Sequence, residues 1–260
     1  MNTQLSITNI LSSAFKIFSK NWIKIILAQL FVLVITFLPL FFLFIAFFFG
    51  FGIHTWMYTG PHFSVGLIVS FAALVLLYIA YSIYIQAGLI RFYLDLYKGD
   101  QPKITSILKT NKKVFCTYLV FSLALFFIIL GGFILLIIPA VIFGLMFSLS
   151  RFYVIEKGFK TKQALDASKD ATKGHRVEIF LFALTMVALY IILSVAKNVG
   201  TLLSYFVLQP VFLLSFVYIY TLLSHKTSVS STESTEKETE STDVIVQPQE
   251  LESGHQEDNK

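Results

Sequence analysis

Residues 114–150 read VFCTYLVFSLALFFIILGGFILLIIPAVIFGLMFSLS, a run without a single Asp, Glu, Lys or Arg. One straight helix over this run would measure about 55 Å, against a hydrocarbon core of about 30 Å. Tilt cannot absorb that excess, so the run is expected to hold two membrane spans joined by a turn at Gly131-Gly132 or at Pro139. A turn exposed at mid-membrane would strand unpaired backbone groups, which puts it at the far interface.

Three other uncharged runs flank this one, over 25–90, 179–196 and 198–224. The first is long enough for two spans, and the Gly-, Pro-, Trp- and His-containing stretch 50–62 between them suits an interfacial loop. The last two give spans near 177–196 and 201–223, with 197–200 as their turn. Composition agrees: 56% of residues are hydrophobic, 13% are charged, and the mean hydropathy is +0.76. A soluble domain carries about 45–50% apolar and 25% charged residues. The expected fold is all-α, a six-helix transmembrane bundle over 24–225. An amphipathic segment precedes it over 1–23, and a disordered acidic tail follows over 226–260.

Lys and Arg fix the orientation. With the amino end inside, 19 of the 20 fall on the cytoplasmic side, and only Lys197 lies outside. Both termini are therefore expected in the cytoplasm. The helix pairs also read as three copies of one hairpin. Arg91-Phe-Tyr-Leu-Asp-Leu-Tyr-Lys-Gly99 echoes Arg151-Phe-Tyr-Val-Ile-Glu-Lys-Gly158, as duplicated units do.

Ahead of the first span, Ile7, Ile10, Leu11, Phe15, Phe18 and Trp22 recur at helical spacing, with Asn9, Ser13, Lys16 and Lys20 opposite. Such a helix can lie along the inner leaflet, with lysines on anionic headgroups. Phe15, Lys16, Phe18, Lys20 and Trp22 are accordingly the candidate lipid-contact residues. The tail has nine acidic residues against three lysines and almost no large apolar side chains, too little to offset the entropy of ordering.

No catalytic constellation stands out. Asp166 and Asp170 are one helical turn apart beside Lys169 and Lys173, the spacing of a solvated charge network. His54 and His62 share a loop without Cys or carboxylate, which argues against a metal there. Cys116, the single cysteine, is expected as a small buried hydrophobe. Gln29, Gln86 and Gln209 are the amide side chains inside the spans, and helix–helix hydrogen bonding accounts for them. The basic loops follow from topology and do not argue for nucleic acid.

The stretch from Leu136 through Pro139 to Gly158, followed by Ala164-Leu-Asp-Ala-Ser168 and Lys173-Gly174, resembles the YciC-like family of bacterial inner-membrane proteins. That family is related to the membrane domain found beside glycerophosphodiester phosphodiesterases. Here Ala140 follows Pro139 where the family most often has Gly, and the phosphodiesterase domain has no counterpart. The resemblance implies a six-helix protein of the bacterial inner membrane and brings no active-site residue or cofactor. The function expected is non-enzymatic, through contacts with membrane lipids or with other membrane proteins. A permease or channel component is the alternative, and an enzyme acting on lipid comes third. Reporter fusions after residue 56 and at Lys197 are expected to read as external, and fusions at Lys103, Lys162 and Lys237 as cytoplasmic. A cytoplasmic reading at residue 56 would remove the six-span topology.

Overall fold

The computed structural model describes residues 6–54, 65–135 and 137–224. Most of the expected interfacial loop and all of the acidic tail lie outside the described residues. The elements are α1 (Ile7–His54), α2 (Val65–Tyr97), α3 (Lys112–Leu135), α4 (Ile137–Met146), α5 (Ser150–Lys157), α6 (Thr161–Ala171), α7 (Arg176–Ser194) and α8 (Lys197–Leu203). A short 3-10 turn, Ile104–Leu108, folds back on α2. Beyond α8 a π-helical turn, Ser204–Leu208, leads into the helical stretch 209–224. Six segments are long and apolar enough to cross a membrane: Ile7–Gly50, Ile68–Tyr97, Lys112–Ile134, Ile138–Lys157, Arg176–Ser194 and Lys197–Ser224. The chain is an all-α, multi-pass membrane protein.

The amphipathic segment and the first span are one helix with a break at Asn21, whose φ of −123° and ψ of 20° leave the helical region. The Asn21 side-chain amide donates to the Ile17 carbonyl at 3.2 Å, taking up the acceptor four residues back. The turn between the third and fourth spans lies at neither expected place. α3 runs straight through Gly131-Gly132, and Pro139 sits in the first turn of α4, where its missing N–H costs nothing. Gly132 is needed for packing instead: a Cβ there would stand 3.0 Å from the Ala140 Cα, so its absence lets α3 and α4 meet backbone to backbone. The expected turn at 197–200 shifts too. The chain turns at 195–197, with Lys197 at φ 48°, and Gly200 lies inside α8 against the Leu193 carbonyl. Cys116 is exposed on α3 rather than buried, because its neighbours Phe115 and Tyr118 take the inward positions.

The fourth span is two short helices, α4 and α5, separated by a break at 147–149. Such a break frees backbone groups where little water can reach them. The Ser168 hydroxyl, fully buried on α6, donates to the Met146 carbonyl at 2.8 Å and accepts from the Leu149 N–H at 3.2 Å. Thr172 adds a longer bond of 3.4 Å to the same carbonyl. This clasp ties α6 to the middle of the span and sets the course of α5.

Most of the core gathers at the basic end of the bundle, where the two Arg-Phe-Tyr turns meet. Phe92, Tyr93, Phe152 and Tyr153 are all buried, and Tyr220 packs on both members of the second pair at 5.3 and 4.9 Å. Lys98 and Glu156 join the two turns in an ion pair of 2.5 Å. Each turn ends on a left-handed glycine, Gly99 at φ 92° and Gly158 at φ 66°. Away from this end the helices show apolar side chains outward, among them Phe44, Phe48, Leu76, Leu77 and Ile134. Ser168→Ala is expected to lower unfolding stability in detergent by about 1–3 kcal/mol, since the buried Leu149 N–H loses its partner and the Met146 carbonyl keeps only the longer Thr172 bond. Asp166→Ala, exposed on the same helix, should stay within about 0.5 kcal/mol of the parent in the same thermal assay.

Candidate functional site

Antiparallel pairing of α1 with α2 puts residues of equal distance from the basic end side by side. Tyr81 donates to the Ile35 carbonyl at 3.1 Å and Tyr78 to the Thr36 carbonyl at 3.4 Å, which sets this register. Gln29 follows Lys24 by one helical turn and a little more, and Gln86 precedes Arg91 by the same interval. Both amides therefore reach one level. There they face a cavity of about 560 Å³ between α1, α2 and the last span, with Arg151 at its basic end.

One polar atom of this cavity is buried without a partner, and two exposed amides, Gln86 and Gln209, stand beside it. Gln29 is 1% exposed; its amide pairs with the Tyr93 hydroxyl at 3.1 Å and its other polar atom has no partner. Neither Gln86 nor Gln209 hydrogen-bonds to another described residue, and both line the wall. Arg151 lies beside two aromatic rings: its guanidinium carbon is 5.9 Å from the Phe152 ring centre and 6.0 Å from that of Phe216. Among the described residues no carboxylate lines the cavity, and the one ion pair is Lys98–Glu156. By contrast the hydroxyls farther along, Tyr78 and Ser82, are already bonded to backbone carbonyls.

The π-helical turn Ser204–Leu208 aims the last span at this site. Its closing bond runs from the Gln209 N–H to the Ser204 carbonyl, one residue wider than an α-helical bond. Pro210 follows, and its lack of an N–H explains why the helix loosens here. Such turns are frequent at functional sites. Tyr205, Gln209 and Phe212 line both the main cavity and a second one of about 440 Å³ beside it.

The five candidate lipid-contact residues divide. Phe15 and Trp22 are 56% and 52% exposed, and Lys16 and Lys20 are exposed beside them. Phe18 is 8% exposed, contrary to the expectation that it shares their outward face. The reason is a buried stripe through Ile10, Ala14 and Phe18, spaced by four residues each, on which the segment docks. Small Ala14, invisible to a search for large apolar residues, completes that stripe. Leu11 and Phe15 border a groove of about 590 Å³ whose far wall holds Leu193, Leu203 and Val211.

Sequence reasoning singled out none of the cavity residues as a site. The signal available was the equal spacing of Gln29 from Lys24 and of Gln86 from Arg91, with Gln209-Pro210 as a third interruption of an apolar run. Comparison of the chain with protein-family models, with curated proteins and with solved structures finds no match in any of the three. Phe18→Ala is expected to cost about 3–5 kcal/mol of stability, the range of a core Phe truncation, and Phe15→Ala well under 1 kcal/mol. Thermal unfolding in a single detergent compares the two; equal losses would mean that Phe15 is as buried as Phe18.

Proposed function

We propose that this chain is a non-enzymatic protein of the bacterial cytoplasmic membrane that acts by holding a membrane lipid in the cavity between α1, α2 and the last span. The observation that carries this reading is the meeting of Arg151, the exposed amides of Gln86 and Gln209, and Gln29 with its buried unpartnered oxygen in one cavity with largely apolar walls. A volume of about 560 Å³ is within the range of ligand pockets, roughly 300–1,000 Å³. The basic end and both termini belong to the cytoplasm in this reading, in keeping with the Lys/Arg bias and with the YciC-like resemblance. There Phe15, Lys16, Lys20 and Trp22 face the inner leaflet, apolar rings in the acyl boundary and lysines at headgroup level.

A second reading, a permease or channel component, draws on the second cavity beyond the π-helical turn, which shares Tyr205, Gln209 and Phe212 with the first. Native mass spectrometry of the full chain in mild detergent separates the two. The expected result is one retained lipid per chain, lost when Leu33→Trp fills the apolar wall. Lipid-free protein that carries a solute into liposomes would overturn the proposal in favour of the permease.

A further inference from the structure

Resting on that lipid-holding reading, we infer that the cavity selects an anionic phospholipid, whose phosphate is held by Arg151. A guanidinium presents a rigid fork of donors that matches two phosphate oxygens at once. The fork of Arg151 has no acidic partner among the described residues and lines the cavity beside Phe216. The sequence repeat sharpens the point. Arg91, at the corresponding place in the first Arg-Phe-Tyr turn, is exposed and lines no part of the cavity. The turn itself therefore does not require an inward arginine.

The neutral groups fit the same ligand. The Gln29 amide nitrogen donates to the Tyr93 hydroxyl at 3.1 Å, which leaves its oxygen to accept from a headgroup hydroxyl such as that of phosphatidylglycerol. Gln86 and Gln209 add donors for ester and glycerol oxygens without adding charge. Polar demand thus concentrates near Arg151, while Phe37 and Leu40 give the opposite end an apolar wall. From Gln29 to Leu40 the rise along α1 is about 16 Å, enough for a good part of an acyl chain. Free phosphate would leave that length empty. A zwitterionic lipid would bring an ammonium group to a site that already holds an unpaired cation and offers no carboxylate.

The test uses the purified full chain titrated with dioleoyl phosphatidylglycerol or dioleoyl phosphatidylcholine, read by native mass spectrometry and by the thermal shift. Wild type is expected to bind the anionic lipid about tenfold or more tightly, and Arg151→Gln to lose that preference. Arg151→Lys should keep part of it, retaining charge without the fork, and Gln209→Leu should weaken both lipids alike. These two variants carry the test if Arg151→Gln does not yield folded protein. Equal binding of both lipids by wild type, or a preference untouched in both Arg151 variants, overturns the inference and leaves the lipid-holding reading standing. Inorganic phosphate giving the same thermal shift as the anionic lipid would make this a free-anion site and also overturn it. Retention of neither lipid would instead remove the reading on which it rests.

Discussion

A helix interrupted inside an apolar bundle leaves carbonyl and amide groups that the surroundings cannot satisfy. In this chain the interruption between α4 and α5 is closed mainly by the hydroxyl of Ser168, which binds the Met146 carbonyl and the Leu149 N–H together, with a longer bond from Thr172 to the same carbonyl. Without the Ser168 hydroxyl the Leu149 N–H would be stranded, at a cost of roughly 1–3 kcal/mol, and the Met146 carbonyl would keep only the longer bond from Thr172. The consequence reaches further than local stability. The break sets the course of α5, and Arg151 is its second residue. The motif Ala164-Leu-Asp-Ala-Ser168 thus acquires a physical role: Ala164 and Ser168 are both buried, one turn apart, on the face of α6 that closes the break.

The two Arg-Phe-Tyr segments, alike in sequence, differ in use. Their aromatic pairs do the same work, burying four large rings at the basic end. Their glycines end both units in the left-handed conformation, and Lys98 and Glu156 hold the units side by side. The arginines differ in their surroundings. One is exposed within electrostatic reach of Asp95, and its counterpart lines the cavity. Structural constraints are shared between the copies, whereas the feature that is not shared marks the place where binding chemistry can reside.

Much of this architecture is legible in the sequence because hydropathy and charge act locally. Six spans follow from four uncharged runs, and the expected boundary after residue 23 falls close to the break at Asn21. What escapes the sequence depends on which face each helix turns to its neighbours. Phe18 and Phe15 are three residues apart and equally apolar, yet one joins the Ile10–Ala14 stripe and the other does not. The turn between α3 and α4 misses both glycines and the proline, since close packing at Gly132 sets how the hairpin closes. The three glutamines read singly as helix–helix glue. Only their convergence with Arg151, brought about by the α1–α2 register and the π-helical turn, makes them a site.

Energetics narrow what that site can hold. Withdrawing a guanidinium from water costs several kcal/mol even after relaxation. The Phe152 and Phe216 rings stand at 5.9 and 6.0 Å, the outer limit of cation–π attraction. Each returns about 0.5–1 kcal/mol, so the aromatic faces leave much of the cost uncovered. The balance must come from water or from an anion in the cavity. Water would satisfy Arg151 and the three amides, but it would also wet the apolar walls at Leu33, Phe37 and Leu40. Each apolar Å² kept from water is worth about 25 cal/mol, so a hydrocarbon chain on those walls recovers what water would forfeit. An anion joined to a hydrocarbon chain meets both demands in one molecule, which neither water nor a small ion can do.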